Sequence, residues 1–308
     1  MKHPHEKAAP LALAALLIGA SAIGLAPIFV RLSPIGPVAT GFWRVFLAMP
    51  VFFLLMDRGQ LGKEGRQYDQ NWKALAITLP GIFFGIDMAL WNTSVAMTSV
   101  ANATLLTNIS PIFVAIVSFF MFGERFTRTF IVGMVGAFAG CLLLMGNSLK
   151  FEPAHLPGDI IGAVSGIFYG SYVFSLSLMR KRFSAPHVMF YTSLAGSPLL
   201  GLWAMLSGQH LLWDGPQFHG WLVLFALAFI SHVGGQGLIA YALAHLPVTF
   251  SSVGLLMQPV VAALAAIVVF HENLGPLQLA GGLVVLLGVF LCRIGSAPKQ
   301  EHLEEKYE

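Results

Sequence analysis

The stretch Ser110–Gly140 reads SPIFVAIVSFFMFGERFTRTFIVGMVGAFAG, and the stretch Gln258–Gly288 reads QPVVAALAAIVVFHENLGPLQLAGGLVVLLG. Both follow one gapless pattern of a polar residue, Pro, twelve mostly apolar positions, Glu, eight more positions, and Gly-x6-Gly. The shared glutamates are Glu124 and Glu272, 148 positions apart. Few positions are identical, but they are Pro, Glu and Gly, which govern helix ends and packing. The pattern indicates an ancient internal duplication.

The composition indicates a membrane protein. Of the 308 residues, 56% are hydrophobic and 10% are charged. Soluble domains carry about 25% charged residues, so this chain has too few to cover itself in water, and its solvent must be lipid. Cys141 and Cys292 lie in apolar runs, which favours small buried side chains over a disulfide or a metal site.

A membrane-spanning helix needs about 20 apolar residues, and the sequence predicts ten such helices. The predicted spans are 11–31, 35–56, 73–92, 98–122, 128–147, 157–180, 186–206, 217–241, 248–270 and 275–294. Because each half holds an odd number of spans, the second half must enter the membrane inverted, a common transporter design. We therefore predict an all-α integral membrane protein with two inverted five-helix repeats, 1–147 and 157–294, and a disordered cytoplasmic tail, 295–308.

The basic residues predict the orientation. If the N-terminus is cytoplasmic, all 17 Lys and Arg residues face the cytoplasm except Arg31, Lys150 and Arg44. Arg31 and Lys150 then lie outside, and Arg44 lies within the membrane. Cytoplasmic loops of membrane proteins are enriched in Lys and Arg, so this bias favours ten spans with both termini in the cytoplasm.

Proline and glycine mark where the helices bend and pack. Pro27, Pro111 and Pro259 fall inside predicted spans, where each removes a backbone hydrogen bond and kinks or breaks its helix. Glycine recurs every four residues in the sixth span, a spacing that lets helices approach closely in lipid. Its last two members, Gly166 and Gly170, are predicted to act with the three prolines as hinges. The fifth span carries a similar pair, Gly136 and Gly140.

Arg44 and Asp87 are the two formal charges predicted deep in the membrane, away from helix ends. A charged side chain at a helix centre costs about 2.5–3.5 kcal/mol on insertion scales and needs a partner. The two residues lie at similar depths, roughly 14 Å and 8 Å below the outer face. Three interpretations remain open: a stabilising ion pair or a carbonyl-capping arginine, an Arg44 that holds an anionic substrate group, and an Asp87 that carries protons.

Further polar and aromatic residues are candidates for substrate binding. They are Trp43, Trp91, Thr104, Asn108, Ser165, Tyr169, Tyr172, His232, Gln236 and Gln258. Each alone is more often an interhelical hydrogen bond than a ligand contact. Together they predict a central cavity whose rings stack on apolar substrate parts while its amides bind polar ends. If protons drive transport, His232 is a candidate for the titrating group.

Glu124 and Glu272 are predicted to be structural. Each lies at a helix end, before a short linker and a new helix. A carboxylate beside a helix N-terminus accepts hydrogen bonds from its free N–H groups and stabilises its dipole. The sequence shows no catalytic carboxylate pair, metal-ligand cluster or nucleophile motif, so neither an enzyme nor a bound cofactor is expected.

Two copies of the Pro–x12–Glu–x8–Gly–x6–Gly pattern on ten spans resemble the EamA-type transporters of the drug/metabolite transporter superfamily. The runs 26–31 (APIFVR) and 42–48 (FWRVFLA) are similar to the first two helices of that family. The resemblance covers nearly the whole chain, and within the family the chain looks most like the YddG-type aromatic amino acid exporters. The arginine of the family's second helix matches Arg44, and its paired glutamates match Glu124 and Glu272.

The resemblance implies a multi-pass exporter of the bacterial inner membrane that works by alternating access. Its expected substrates are small amphipathic metabolites, in particular aromatic or other large apolar amino acids. The alternative is a proton-coupled drug or metabolite antiporter of other specificity; a membrane-embedded enzyme would need converging acids, histidines or metal ligands. The expected partners are a small-molecule substrate and the lipid bilayer, with no nucleic acid, and the protein is expected to be a monomer.

Overall fold

The structure, a computed structural model, describes residues 4–56, 70–146, 149, 152–212, 217–271 and 274–296. Every regular element within these ranges is helical. The predicted tail, 295–308, lies outside them except for Gly295 and Ser296.

Seven helices form the first half and seven more, with one π-helical segment, form the second. The first half comprises α1 (Pro4–Gly24), α2 (Ala26–Leu32), α3 (Pro37–Leu55), α4 (Gln70–Met97), α5 (Val100–Thr107), α6 (Ser110–Phe122) and α7 (Arg128–Met145). The second half comprises α8 (Leu156–Arg180), α9 (Ala185–Leu206), α10 (Gln217–Ala226), the π segment (Leu227–Gln236), α11 (Gly237–Ala242), α12 (Val248–Gly254), α13 (Met257–Phe270) and α14 (Pro276–Gly295). A short 3-10 turn, Pro153–His155, precedes α8.

Nine segments of the described chain are long and apolar enough to cross a membrane, and each overlaps a predicted span. The remaining predicted span, 73–92, lies within α4. This helix has 28 residues, or about 42 Å, which is long enough to cross a bilayer. It is not among the nine, and it carries the polar residues Asp87, Asn92 and Ser94, which lower its hydropathy.

Three spans are interrupted where the sequence places a proline. Pro27 lies in the first turn of α2, Pro111 in the first turn of α6, and Pro259 in the first turn of α13. Proline has no N–H to donate and clashes with the preceding turn, but it is well accommodated at the start of a helix. Each span is therefore built from two helices, α1–α2, α5–α6 and α12–α13, with a short break between them.

The two halves meet in an antiparallel helix pair, α7 and α14. A Cβ atom on Gly133 would lie 2.7 Å from the carbonyl oxygen of Gly288, and one on Gly140 would lie 2.8 Å from that of Gly281. In the duplicated pattern Gly133 corresponds to Gly281, and Gly140 to Gly288. The first glycine of each copy thus contacts the second glycine of the other copy. Such reciprocal contacts are what a two-fold axis produces.

The packing face of α7 differs from the predicted one. Gly140 packs as expected, but a Cβ on Gly136 would meet no described atom within 4 Å, so its predicted packing role is wrong. Gly133 takes its place. A spacing of seven residues keeps Gly133 and Gly140 on the seam between two helices that cross at a shallow angle, whereas Gly136 lies to one side of it.

The predicted glycine ladder of the sixth span lies in α8 and faces α4 and the break between α5 and α6. A Cβ on Gly162 would come within 2.8 Å of the Ser94 hydroxyl. One on Gly166 would come equally close to the carbonyl oxygen of Leu106, and one on Gly170 would contact the Phe113 ring at 2.7 Å. These glycines let α8 approach the broken span, and the hinge role of Gly166 and Gly170 stays a prediction.

Candidate functional site

A cavity of about 150 Å³ lies between the two halves. Helices of the first half contribute most of its wall, and α8, the π segment and α13 close it from the second half. The polar and aromatic residues that line it are Arg44, Phe84, Asp87, Trp91, Asn92, Thr104, Thr107, Asn108, Tyr169, Gln236 and Gln258. Pro27 and Pro259 also lie on the wall, so the cavity adjoins two of the three helix breaks.

Arg44 projects from α3 into this cavity and is 6% exposed. Its Nε and Nη2 atoms have no hydrogen-bond partner in the described part of the protein. The guanidinium carbon lies 6.0 Å from the centre of the Phe84 ring, within the range of a cation–π contact. A buried guanidinium with free donors attracts an anionic group, because leaving its donors unpaired is costly.

Asp87 projects from α4 into the same cavity and is 1% exposed. Its Oδ1 atom accepts a hydrogen bond of 2.6 Å from the Ser165 hydroxyl on α8. Its Oδ2 atom has no partner among the described residues. The predicted ion pair therefore does not form through Oδ2 and the Nε or Nη2 atoms of Arg44, although both side chains line one cavity.

Two asparagines add unpaired polar atoms to the wall. Asn92 donates its Nδ2 to the Met88 carbonyl oxygen at 2.6 Å, and its Oδ1 is without a partner in the ranges that the structure covers. Asn108 lies in the break between α5 and α6, and its Nδ2 is likewise unpaired there. Buried polar atoms are normally hydrogen-bonded, so this grouping is typical of a binding site for a polar ligand.

Two tyrosine–glutamine hydrogen bonds tie α8 to its neighbours in the second half. Gln258 donates its Nε2 to the Tyr169 hydroxyl at 3.2 Å, and the Tyr172 hydroxyl donates to the Gln236 Oε1 at 2.9 Å. Tyr169, Gln236 and Gln258 line the cavity, whereas Tyr172 is fully buried behind the wall. Tyr172 therefore orients Gln236 and does not face the cavity itself.

Trp43 lies away from the cavity. Consecutive residues of a helix point about 100° apart, so Trp43 cannot share the direction of Arg44. Its indole Nε1 donates to the Leu211 carbonyl oxygen at 2.6 Å, and its ring packs edge-on against Trp221 at 4.8 Å. These contacts fix the ends of α3 and α10 to the loop after α9.

His232 is fully buried behind Phe84, with 5.6 Å between the two ring centres. Its Nε2 lies 3.5 Å from the Ser193 hydroxyl. The structure thus places it in the packing between the π segment and α9, one layer behind the cavity wall. The hinge candidates Pro111, Gly166 and Gly170 also lie off the wall.

Glu124 contacts the other half of the protein. Its Oε1 accepts a hydrogen bond of 2.9 Å from the Thr249 hydroxyl in the first turn of α12. The helix that follows Glu124 in sequence, α7, is capped by Thr127, which accepts from the N–H of Phe130. The carboxylate therefore lies beside a helix N-terminus of the opposite repeat. Glu272 falls outside the described residues.

Sequence reasoning missed Phe84, Asn92 and Thr107 on the wall. Phe84 precedes Asp87 by three residues and Trp91 by seven, the spacing of one helix face, so the positions of the other two could have identified it. Asn92 and Thr107 carry no comparable signal, because their inclusion depends on the approach of α5 to α4. Among the described residues, no group of three His, Cys, Asp or Glu side chains is arranged to hold a metal ion.

Comparison with known families identifies the chain. The sequence pattern of the EamA-like transporter family matches twice, over residues 10–146 and 156–294. The chain belongs to this family. It is therefore a membrane transporter, as the sequence predicted. Membership of a transporter family implies a small-molecule substrate and a lipid bilayer around the protein.

Individual relatives differ in what their names say they carry. The chain is 29% identical to an uncharacterized transporter of Archaeoglobus fulgidus, covering 90% of this chain and 94% of that one. It is 26% identical to chloroplastic glucose-6-phosphate/phosphate translocator 1 of Arabidopsis thaliana, covering 64% and 53%. It is 27% identical to a probable terminal-alkyne amino-acid exporter of Streptantibioticus cattleyicolor, covering 62% and 63%.

A solved crystal structure illustrates the shared fold. It superposes with a TM-score of 0.75 at 17% sequence identity, covering 94% of this chain and 98% of the other. At that identity the likeness concerns the fold alone.

Proposed function

We propose that this EamA-family transporter exports amino acids with aromatic or other large apolar side chains across a bacterial inner membrane. The observation that carries the proposal is Arg44, a buried guanidinium whose Nε and Nη2 donors are unpaired beside a cavity lined by aromatic rings. Export is the direction named for the relative from Streptantibioticus cattleyicolor and the one that the sequence resemblance implies.

The free donors of Arg44 suit a carboxylate. Nε and Nη2 lie on one edge of the guanidinium, and their hydrogens point in parallel. A carboxylate presents two oxygens at a matching separation, and such paired, charge-assisted hydrogen bonds are among the strongest in proteins. In a buried site they also remove the cost of leaving the donors unpaired.

The remaining wall suits a compact apolar side chain. Phe84, Trp91 and Tyr169 offer ring faces and edges to a substrate, and aromatic pairs gain about 0.5–1.5 kcal/mol beyond the burial of their area. The whole cavity, with the region beside Arg44 and Asp87 included, measures about 150 Å³, similar to an engineered protein cavity that binds benzene, so it limits the substrate to a compact molecule. We therefore assign the apolar part of the cavity to the substrate side chain.

The charge of the cavity favours an amino acid over a sugar phosphate, the substrate class named for the Arabidopsis thaliana relative. Among the described residues on the wall, Arg44 is the single cation and Asp87 the single carboxylate. A phosphate with nearly two negative charges would face Asp87 as well as Arg44, and the like charges would repel each other. A zwitterion with no net charge meets no such penalty.

We further propose the architecture within which this cavity works. It consists of ten spans in two inverted five-helix repeats, 1–147 and 157–294, with both termini in the cytoplasm, acting as a monomer of the YddG type. The helix breaks at Pro27, Pro111 and Pro259 support hinges there, since interrupted helices line the substrate sites of many transporters. Alternating access would then arise from rocking one repeat against the other.

Uptake of labelled phenylalanine into proteoliposomes of the purified protein tests the proposal. We expect uptake without an imposed pH gradient until the inner and outer concentrations are equal. Accumulation above that level under a pH gradient would instead indicate a proton antiporter. Uptake of glucose 6-phosphate with no uptake of phenylalanine would overturn the proposed substrate class.

The variant Arg44→Ala tests the role of the guanidinium. It should abolish phenylalanine uptake while sparing transport of any cationic drug that the wild-type protein carries, because only the carboxylate needs Arg44. Arg125→Ala removes an exposed arginine of the loop between α6 and α7 and serves as the matched control. Equal loss of both substrates in Arg44→Ala, together with poor expression, would show that Arg44 is structural.

A further inference from the structure

We infer that the cavity recognises both charges of a zwitterion and that Asp87 binds the substrate ammonium group. This assignment rests on the proposed function and adds the residue that sets head-group specificity. Arg44 alone would accept any carboxylate of suitable size. The structure supplies a second, oppositely charged anchor on the same wall.

The unpaired atoms on the wall divide into two chemical classes. Asp87 Oδ2 and Asn92 Oδ1 are acceptors, whereas Arg44 Nε, Arg44 Nη2 and Asn108 Nδ2 are donors, and all five are buried without partners in the described structure. The amide of Asn92 is oriented by its own contact, because its Nδ2 donates to the Met88 carbonyl oxygen at 2.6 Å. An α-amino acid head group carries three ammonium donors and two carboxylate acceptors, and it complements both classes.

The surroundings of Asp87 hold its carboxylate with one oxygen free. Oδ1 accepts 2.6 Å from the Ser165 hydroxyl, and Ser165 lies 3.2 Å from the hydroxyl of Thr107. These contacts occupy one side of the carboxylate. Oδ2 is left for a ligand, and because Asp87 is only 1% exposed, leaving that oxygen unpaired is costly.

Selectivity follows from what each incomplete ligand leaves unpaired. A carboxylic acid without the amino group would satisfy Arg44 but place its charge near Asp87. An amine without the carboxylate would satisfy Asp87 but place its charge near Arg44. A site built to bond a polar group rejects analogues that lack it, because its buried partner is then left unpaired.

Isothermal titration calorimetry on the full-length protein in nanodiscs tests the inference, with empty nanodiscs as the partition control. The ligands are phenylalanine, 3-phenylpropionate and phenethylamine, which share a ring and differ in the head group. Wild-type protein should bind phenylalanine roughly 10- to 100-fold more tightly than either analogue. Binding of 3-phenylpropionate as tight as that of phenylalanine would overturn the assignment without any variant.

The isosteric variant Asp87→Asn should weaken phenylalanine binding by roughly 10- to 100-fold. Binding of 3-phenylpropionate should stay equal or become tighter, because the opposing charge is gone. Equal loss for the two ligands, or no loss for either, contradicts an ammonium anchor.

Asp159→Asn is the matched control. Asp159 is a carboxylate near the start of α8 that Thr98 and Asn102 already bond, and it does not line the cavity. Its replacement should leave the ratio of the phenylalanine and 3-phenylpropionate affinities unchanged. The inference and the proposed function fail separately: wild-type protein that binds no phenylalanine contradicts the function, whereas wild-type binding that Asp87→Asn does not alter contradicts only the anchor.

Discussion

Trp91 lies one turn after Asp87 on α4 and lines the same cavity. The indole therefore adjoins the polar anchors, as a site for an amphipathic molecule requires. Trp203 on α9 offers a contrast. Its Nε1 donates to the Thr93 hydroxyl at 3.3 Å, and it lies outside the cavity wall. At the scale of single residues, the partner of each tryptophan decides whether it serves the substrate or the packing.

We expect Trp91→Ala to reduce the preference for phenylalanine over alanine. The variant removes an aromatic contact worth about 1–2 kcal/mol, or roughly 5- to 30-fold in Kd. The affinity for alanine, which reaches Arg44 and Asp87 but not the ring, should change little. Competition between labelled phenylalanine and unlabelled alanine in nanodiscs measures the ratio.

Trp203→Ala is the control for this prediction, because it removes the same kind of side chain from a position that contacts α4 two residues after Trp91 but lies off the cavity wall. It should leave the ratio of the phenylalanine and alanine affinities at its wild-type value. A ratio that falls equally in both variants would mean that Trp91 acts through helix packing and not through the substrate.

At the scale of helices, the contact between α7 and α14 depends on glycine. Cβ atoms on Gly133 and Gly288 would each collide with the other's helix backbone, as would those on Gly140 and Gly281. In lipid the hydrophobic effect does not drive helices together, so close backbone approach contributes much of their association. The seven-residue spacing in both copies of the repeat preserves this seam.

We expect Gly133→Leu to lower the melting temperature of the detergent-solubilised protein, whereas Gly136→Leu should not. The first forces a side chain into the backbone of α14, and overpacking costs about 1–3 kcal/mol or more. The second places the same side chain where no described atom lies within 4 Å, and leucine favours a helix more than glycine does. The melting temperatures of the two variants are compared by heating each sample and measuring the fraction of monomer that size-exclusion chromatography recovers at each temperature. Similar losses would mean that the seam does not limit stability.

At the scale of the whole molecule, the most extensive helix–helix contacts each join a helix of the first half to a helix of the second. α1 packs against the π segment and α13, and α8 packs in the corresponding way against α4 and the broken span α5–α6. The first helix of each repeat therefore packs mainly against helices of the other repeat. This exchange places the cavity between the repeats, where the rocking motion proposed above would open and close it.

The predicted orientation can be checked with single cysteines. In a variant without Cys141 and Cys292, Ser207→Cys lies after α9 and Lys181→Cys lies before it, both at exposed positions. We expect a membrane-impermeant maleimide to label Ser207→Cys in intact cells and Lys181→Cys only after lysis, because the basic residues favour the cytoplasmic side. The opposite labelling pattern would show that the protein has the inverse topology. Ser296→Cys should behave as Lys181→Cys, because four spans separate the two positions.

The sequence by itself determined the membrane class, the duplicated pattern and the three helix breaks. These properties are local: composition sets the solvent, proline removes a specific backbone hydrogen bond, and a repeat is visible without coordinates. It also singled out Arg44 and Asp87, since a formal charge deep in a span is rare and costly enough to mark a site.

Only the tertiary structure decided which polar residues share the cavity. His232 and Gln236 are one turn apart, yet the approach of α9 and Phe84 buries His232, while Gln236 reaches the wall. Gly136 and Gly133 likewise look equivalent until α14 is in place. The direction of a side chain follows from its own helix, but what it meets depends on helices distant in sequence, whose positions are set by packing that no local pattern records.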